Sequence, residues 1–206
     1  TILSEYYVAG FVCENNGSIS SSYFRGGNII NTKQDTEGYT QDSIGTAGFV
    51  VLNNAGAEIN YSYVLGRDTT NNERDISGLR ENGRADSLVG YHYTFNELSM
   101  PTHSVRTFGS VISSVKFAGG FVYRNAGRIT NSYVNTVVLG DECGGFVYIN
   151  TTSGVIKNTY AIATIYKEEA YSSPFSGVTT DRNNMIISLD GGVVESSYYL
   201  KVDVTD

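Results

Sequence analysis

Apolar residues in this chain come in short bursts, and the same burst returns with the same polar punctuation. Ala9-Gly10-Phe11-Val12, Ala47-Gly48-Phe49-Val50, Gly119-Gly120-Phe121-Val122 and Gly144-Gly145-Phe146-Val147 are versions of one phrase. Each is followed by an isoleucine with a tyrosine four places after it: Ile19/Tyr23, Ile59/Tyr63, Ile129/Tyr133 and Ile156/Tyr160. A weaker copy runs from Ser176-Gly177-Val178 to Val194/Tyr198. No stretch sustains the 3.6-residue apolar period of a helix, whereas runs of four to seven residues between Gly/Asn clusters predict strands. A whole unit recurring in this way predicts a stack of like structural units.

The clearest unit is Ala118–Glu142. Gly120-Phe121-Val122-Tyr123 reads as one strand, closed by the turn residues Arg124-Asn125-Ala126-Gly127. Arg128–Val134 follows, broken by Asn135, and Thr136-Val137-Val138-Leu139 then stops at Gly140-Asp141. Three short strands with Gly/Asn corners make one rung of a parallel β-solenoid, a β-helix of about six rungs with loop excursions. Residues two apart on a strand share a face, so Ile129, Asn131 and Tyr133 are expected to point inward together.

Rungs stacked about 4.8 Å apart would then build an isoleucine ladder and a tyrosine ladder in the interior. Phe11, Phe49, Phe121 and Phe146 would form a third. Ser21, Tyr61, Asn131, Asn158 and Ser196, two places after each aliphatic residue, would form an interior polar ladder. The hydroxyl before each tyrosine (Ser22, Ser62, Ser132, Thr159, Ser197) either faces out or marks a bend where it bonds backbone. Gly17, Gly127 and Gly154 fit left-handed turn positions.

The copies at Phe49 and Phe121 lie far apart, and Gly109–Val115 reads as a decayed unit between them, with Val89–Tyr93 as its opening strand. Ile2 and Tyr6 repeat the four-residue spacing, so Thr1–Tyr7 reads as the end of an earlier unit and the chain as one solenoid segment, 1–206, of a longer protein. Arg67–Asp86 carries nine charged residues in twenty, including four of the nine arginines, and is expected to leave the column as a solvated loop. Gly26–Thr46 and Lys167–Pro174 read as milder loops.

Composition agrees with strands: 16 Tyr and 23 Gly against 2 Pro and no Trp in 206 residues. A net charge of −7 argues against a nucleic-acid partner, which needs a basic stripe to neutralise phosphates. No apolar run reaches the roughly 18 to 20 residues of a membrane span. Cys13 aligns with Val51, Tyr123 and Tyr148, and Cys143 with Ala118. Both are expected to be free, buried thiols rather than a disulfide or zinc pair.

The phrase at Gly119–Tyr133, Gly-Gly-Phe-Val-Tyr-x-Asn-x-Gly-x-Ile-x-Asn-Ser-Tyr, resembles the GLUG-type repeat. That pattern is roughly Gly-Gly-Leu-Val-Gly-x-Asn and then Gly-x-Ile-x-Asn-Ser-Tyr. Gly144–Tyr160 and Ala9–Tyr23 follow it closely and Ala47–Tyr63 more loosely. The chain departs in having Phe for Leu, and Tyr, Val or Cys for the Gly after Val. The resemblance implies large secreted or surface-anchored microbial proteins of the filamentous-haemagglutinin-like and adhesin kind. It carries no catalytic residues.

Chemical motifs are sparse. His92 and His103 are the only histidines and lack metal-ligand spacing. Asp141/Glu142 and Glu168/Glu169 sit in turn-like contexts, and Asp181-Arg182-Asn183-Asn184 and Asp190-Gly191 match no calcium loop. No catalytic residue, cofactor or metal is expected. Asn16-Gly17-Ser18, Asn60-Tyr61-Ser62 and Asn150-Thr151-Thr152 match the glycosylation acceptor pattern.

The leading expectation is a non-catalytic structural and adhesive β-solenoid, extracellular or on a cell surface. Its partner would be a host or neighbouring-cell protein or glycan, or copies of itself through flanking repeats. Arg67, Arg74, Arg80, Arg84 and Asp86 are the candidate recognition loop. The rivals are a polysaccharide-degrading β-helix enzyme using Arg74, Arg80 and Asp86, and a subunit of a filament or secretion assembly.

Overall fold

Strands of three or four residues cannot bury their apolar side chains alone, so each copy of the repeat closes one turn of a coil and packs on the next copy. The computed structural model describes residues 2–25, 27–33, 38–65, 111–113, 116–140, 142–166 and 186–200. Among them every paired strand is parallel to its neighbours and no helix occurs. The chain is an all-β parallel solenoid.

The chain enters on β1 (Ile2–Ser4). The first turn passes through β2 (Tyr7–Ala9), β3 (Val12–Asn15), β4 (Ser18–Ser20), β5 (Tyr23–Arg25) and β6 (Ile29–Asn31). The second repeats these positions as β7 (Gly45–Ala47), β8 (Val50–Asn53), β9 (Glu58–Asn60), β10 (Tyr63–Leu65) and β11 (Val111–Ser113). In the third, β12 (Phe117–Gly119), β13 (Val122–Asn125) and β14 (Arg128–Thr130) lead into β15 (Tyr133–Leu139), which fills the last two positions in one strand. The fourth has β16 (Glu142–Gly144), β17 (Val147–Asn150), β18 (Val155–Lys157) and the equally long β19 (Tyr160–Tyr166). The fifth has β20 (Ile186–Leu189), β21 (Val193–Glu195) and β22 (Tyr198–Leu200).

Like strands stack into sheets ordered β16-β12-β7-β2, β20-β17-β13-β8-β3 and β21-β18-β14-β9-β4. A fourth, eight-stranded sheet is two rows joined through β15 and β19. Its first row is β5, β10, β15, β19 and β22, and its second is β1, β6, β11, β15 and β19.

The isoleucine and phenylalanine ladders stand as expected. Ile19, Ile59, Ile129, Ile156 and Val194 lie in register. Phe11, Phe49, Phe121 and Phe146 stack at centroid spacings of 4.8, 4.9 and 4.9 Å. Phe49, Phe121 and Phe146 are fully buried with Val50, Val122, Val147, Ile59, Ile129 and Ile156 in the lumen. Phe11 is 48% exposed because its turn has a neighbour on one side only.

The tyrosine ladder is real but lies outside. Tyr23, Tyr63, Tyr133, Tyr160 and Tyr198 are in register along the first row of the large sheet, and their rings face outward while Val64, Val134 and Ala161 fill the lumen. The expected shared face of Ile129 and Tyr133 fails because the residue between them breaks the strand. Ser21, Tyr61, Asn131, Asn158 and Ser196 all have positive φ, 46° to 52°. One left-handed residue turns the corner and resets the alternation, so Ile129 and Ser132 point in and Tyr133 points out. These five residues are thus an outer corner, not an interior polar ladder.

The serine hydroxyls before the tyrosines bond backbone at that corner, the second of the two readings left open, while Thr159 Oγ1 donates to Ser197 Oγ. Ser62 and Ser132 are buried, and each accepts from the backbone N–H of the equivalent residue in the preceding turn: Ser22 N to Ser62 Oγ at 3.3 Å, Ser62 N to Ser132 Oγ at 3.2 Å. Each hydroxyl also donates to its own corner carbonyl, as Ser132 Oγ does to Thr130 O at 2.7 Å.

The interior polar ladder lies elsewhere. Asn15 Nδ2 donates to Asn53 Oδ1, Asn53 Nδ2 to Asn125 Oδ1 and Asn125 Nδ2 to Asn150 Oδ1, each at 2.8 Å. All four amides are buried and point the same way along the column. Asn125 therefore ends a strand inside the core, where Arg124–Gly127 was read as turn alone. Asn150 is fully buried, which removes it as a glycosylation acceptor in the folded chain.

Other expectations shift. β8 pairs directly with β13, and Phe49 stacks on Phe121, so no rung separates those copies. Val111–Ser113 is the last strand of the second turn, in register with Val137–Leu139, rather than the core of a decayed unit. Among the described residues the column has five turns plus β1. Likewise Ile2 pairs with Ile29, so β1 belongs to the second row and Ile2 and Tyr6 join neither ladder. The first described strand of the fifth turn is β20, with Ile186 opposite Val147, and Ser176–Val178 lies outside the described residues. Residues expected only as loop in 26–46 include β6 and the start of β7.

Gly17, Gly127 and Gly154 are not left-handed. At Gly127 a Cβ would run into the Ala57 carbonyl of the adjoining turn, and at Gly120 into the Gly145 carbonyl. These glycines let successive corners touch. Neither cysteine forms a disulfide, but Cys13 is exposed and only Cys143 is buried. Cys13 shares the outward row of Val51, Tyr123 and Tyr148, which is covered farther along the column and bare at the first turn.

Candidate functional surface

Two outward faces of the column carry aromatic side chains, and their surroundings separate them. On the first, Tyr7, Tyr123 and Tyr148 project from the outside of neighbouring sheets into a buried cluster with Ile44, Val51, Phe117 and Ile149. The segment Thr40–Ile44 lies across this face and is fastened by polar contacts. Tyr123 Oη donates to Gln41 O at 2.7 Å, Tyr7 Oη donates to Asp42 O at 2.6 Å, and Arg124 pairs with Asp42 at 2.6 Å. Tyr148 Oη donates to a Glu142 carboxylate oxygen at 2.8 Å. This is a second core, and it is closed.

Its phenols carry a pH dependence. Burial pushes Tyr123 and Tyr148 far above the ordinary value of 10.0, and Glu142 adds to the effect at Tyr148. Tyr7 is raised too, again chiefly by burial. A raised phenol favours the folded state while the unfolded phenol is protonated. That contribution is complete below about pH 10 and fades as pH climbs toward the folded values. In an alkaline titration, loss of strand ellipticity is expected to coincide with a late, cooperative rise in tyrosinate absorbance. Independent ionisation of all tyrosines with the fold intact would contradict this.

The second aromatic face is open. Tyr23, Tyr63 and Tyr133 stack with ring centroids 5.0 and 4.9 Å apart and planes within 5° and 6° of parallel. Tyr160 and Tyr198 continue the row in register. Tyr198, at 68%, and Tyr23, at 57%, are the most exposed of the row, Tyr160 and Tyr133 less so, and Tyr63 is half-buried. Burial against its neighbours raises the Tyr133 phenol, with Tyr63 adding to the rise and Arg25 opposing it.

The left-handed corner runs beside the row. Asn131 Nδ2 donates to Asn60 Oδ1 at 3.0 Å and Asn158 Nδ2 to Asn131 Oδ1 at 3.3 Å, so side-chain amides tie three turns together outside as well. On the adjoining sheet Lys157 pairs with Glu195 at 3.0 Å across two turns. The result is a straight stripe with a repeat of one turn, bordered by amides and hydroxyls.

The expected recognition loop, Arg67, Arg74, Arg80, Arg84 and Asp86, lies outside the described residues, as do His92, His103, Glu168, Glu169 and Asp181–Asn184. The enzyme reading, built on Arg74, Arg80 and Asp86, rests on that segment. Among the described residues no three His, Cys, Asp or Glu side chains gather as a metal site would require. No helix there is long and apolar enough to cross a membrane.

The sequence reading missed the buried amide ladder, yet its mark was present. An asparagine stands four places after the phenylalanine in every strong copy: Asn15, Asn53, Asn125 and Asn150. Counted back from the isoleucine the spacing varies, because the turn after Asn53 and Asn150 is longer, and this hid the pattern.

Comparison with protein-family models, curated proteins and solved structures returned no match. The repeat and its geometry therefore carry the functional argument.

Proposed function

We infer that this chain is a structural and adhesive segment, a β-solenoid stalk of a secreted or surface-exposed microbial protein, and that the tyrosine stripe is a face it presents to its partner. The observation that carries this reading is the stripe itself: five tyrosines held at constant spacing on the outside of a column whose inside is filled by its own ladders. Tyrosine offers a large ring and a polar tip with little rotamer entropy to lose, which suits recognition. Neighbouring turns restrain it further. The resemblance to the GLUG-type repeat supports an extracellular setting, and so does a net charge of −7, which favours a soluble, self-repelling surface.

Partners of this class are a host or neighbouring-cell protein or glycan. The test is binding of the purified chain to glycan arrays and immobilised surface and matrix proteins, beside a Tyr63→Ser/Tyr133→Ser variant. Both changes lie on the outer face and leave the lumen intact. Binding by the parent and loss in the variant is expected. No binding, or binding indifferent to the stripe, overturns the reading.

A further inference from the structure

The geometry points to the tyrosine stripe as a site of covalent cross-linking between turns, in which one-electron oxidation joins adjacent rings as dityrosine. This does not depend on the adhesive reading. It follows from three observations about the same residues.

First, the rings are already paired. Tyr23, Tyr63 and Tyr133 have in-register backbones, centroids 4.9 to 5.0 Å apart and planes within 6° of parallel. In such a stack like atoms face like atoms, so the carbon ortho to one hydroxyl lies opposite its counterpart in the next turn. Second, the row is accessible. Tyr23 is 57% exposed and Tyr133 37%, and Tyr63 between them is half-buried, whereas the closed cluster around Tyr123 and Tyr148 is buried. Third, the chain has no tryptophan, so tyrosine is its most readily oxidised aromatic.

The chemistry balances with hydrogen peroxide as oxidant and a haem peroxidase as its activator. Each of two neighbouring phenols loses one electron and one proton to become a phenoxyl radical. The radicals couple through a carbon–carbon bond between ortho positions. The two ring hydrogens then shift to oxygen, restoring both phenols. The two electrons and two protons released reduce one peroxide to two waters. Each linkage welds one turn to the next outside the lumen, which opposes unrolling of the column.

Exposure alone makes a different forecast. Tyr61 is 61% exposed and Tyr6 54%, more than most of the stripe. Tyr61 belongs to no aromatic stack among the described contacts, and Tyr6 meets Tyr39 only at 6.4 Å and 48°. Coupling governed by exposure alone would therefore draw in Tyr61 and Tyr6 beside Tyr198 and Tyr23, would leave the half-buried Tyr63 out, and would join separate molecules.

The experiment treats the dilute full chain with peroxide and a haem peroxidase. A Cys13→Ser background removes the exposed thiol that competes for oxidant. Cross-linked peptides are then mapped by mass spectrometry. Tyr23–Tyr63 and Tyr63–Tyr133 linkages within one molecule are expected to dominate. Tyr63→Phe keeps the ring stack but cannot form a phenoxyl radical, and should abolish both linkages. Tyr61→Phe should leave them unchanged, and prior unfolding in urea should remove them. Absence of linkages, dominance of Tyr61 or Tyr6, purely intermolecular coupling, or indifference to Tyr63→Phe each overturns the proposal.

Discussion

Replacing Phe121 with alanine is expected to lower the unfolding free energy by about 3 to 5 kcal/mol, the range for deleting a fully buried phenylalanine. Phe121 has no exposed surface and stacks on Phe49 at 4.9 Å and on Phe146 at 4.9 Å. Its removal forfeits both ring contacts and opens a void that Val122 and Ile129 on the same turn are too constrained to fill. The comparison that gives the measurement its meaning is Phe11→Ala. Phe11 stacks on Phe49 alone and is about half exposed, so its loss should cost well under half as much. Urea denaturation of the three proteins, followed by far-ultraviolet circular dichroism, reads the difference. Equal losses at the two positions would mean the phenylalanines do not form one ladder.

The second large effect lies in the amide ladder. Asn125→Ala removes an acceptor from Asn53 Nδ2 and a donor from Asn150 Oδ1, both buried where water does not reach. Leaving each group unpaired costs about 2 kcal/mol, so a loss of about 4 kcal/mol is expected. Asn15→Ala orphans one ladder partner, Asn53 Oδ1, and should cost about half as much by the same reasoning. The same denaturation experiment measures both, with Asn16→Ala as a control because Asn16 is exposed. If Asn125→Ala were as mild as Asn16→Ala, the interior amides would contribute nothing net.

These two ladders were unequally legible. Phe11, Phe49, Phe121 and Phe146 announce themselves because an aromatic after Gly or Gly-Gly stands out against the surrounding small and polar residues. Asn125 does not, since asparagine is also the commonest mark of a turn. In Asn125-Ala126-Gly127 it does both things: its side chain points into the lumen while its backbone leads into the corner. Only the neighbouring turns reveal that the amide has partners above and below.

The tyrosines teach a related lesson. Strict alternation puts Ile129 and Tyr133 on one face, and four residues of extended chain would have done so. The outcome turns on Asn131 alone, whose φ of 48° converts a strand into a corner. Serine, tyrosine and asparagine occupy that corner, and no glycine does, so the sequence carries no obvious flag for a left-handed residue. The hydroxyl after it was the available hint, because a serine that bonds backbone belongs to a bend rather than to a flat strand.

What the amino-acid order determined alone was the fold class and which phenylalanines, isoleucines and tyrosines stack on one another. A repeated phrase in which every isoleucine precedes its tyrosine by the same four places admits one economical packing, in which each residue rests on its own kind. The direction each ladder faces, the depth of the asparagines, and the place of Val111–Ser113 in the second turn were decided only in three dimensions. Each depends on contacts with adjacent turns: the corner amide that meets Lys157 O, the amide side chain that finds its neighbour at 2.8 Å, and the Val111–Ser113 strand that pairs with Val137–Leu139. Local sequence encodes spacing along the chain, whereas facing and pairing are properties of the stack.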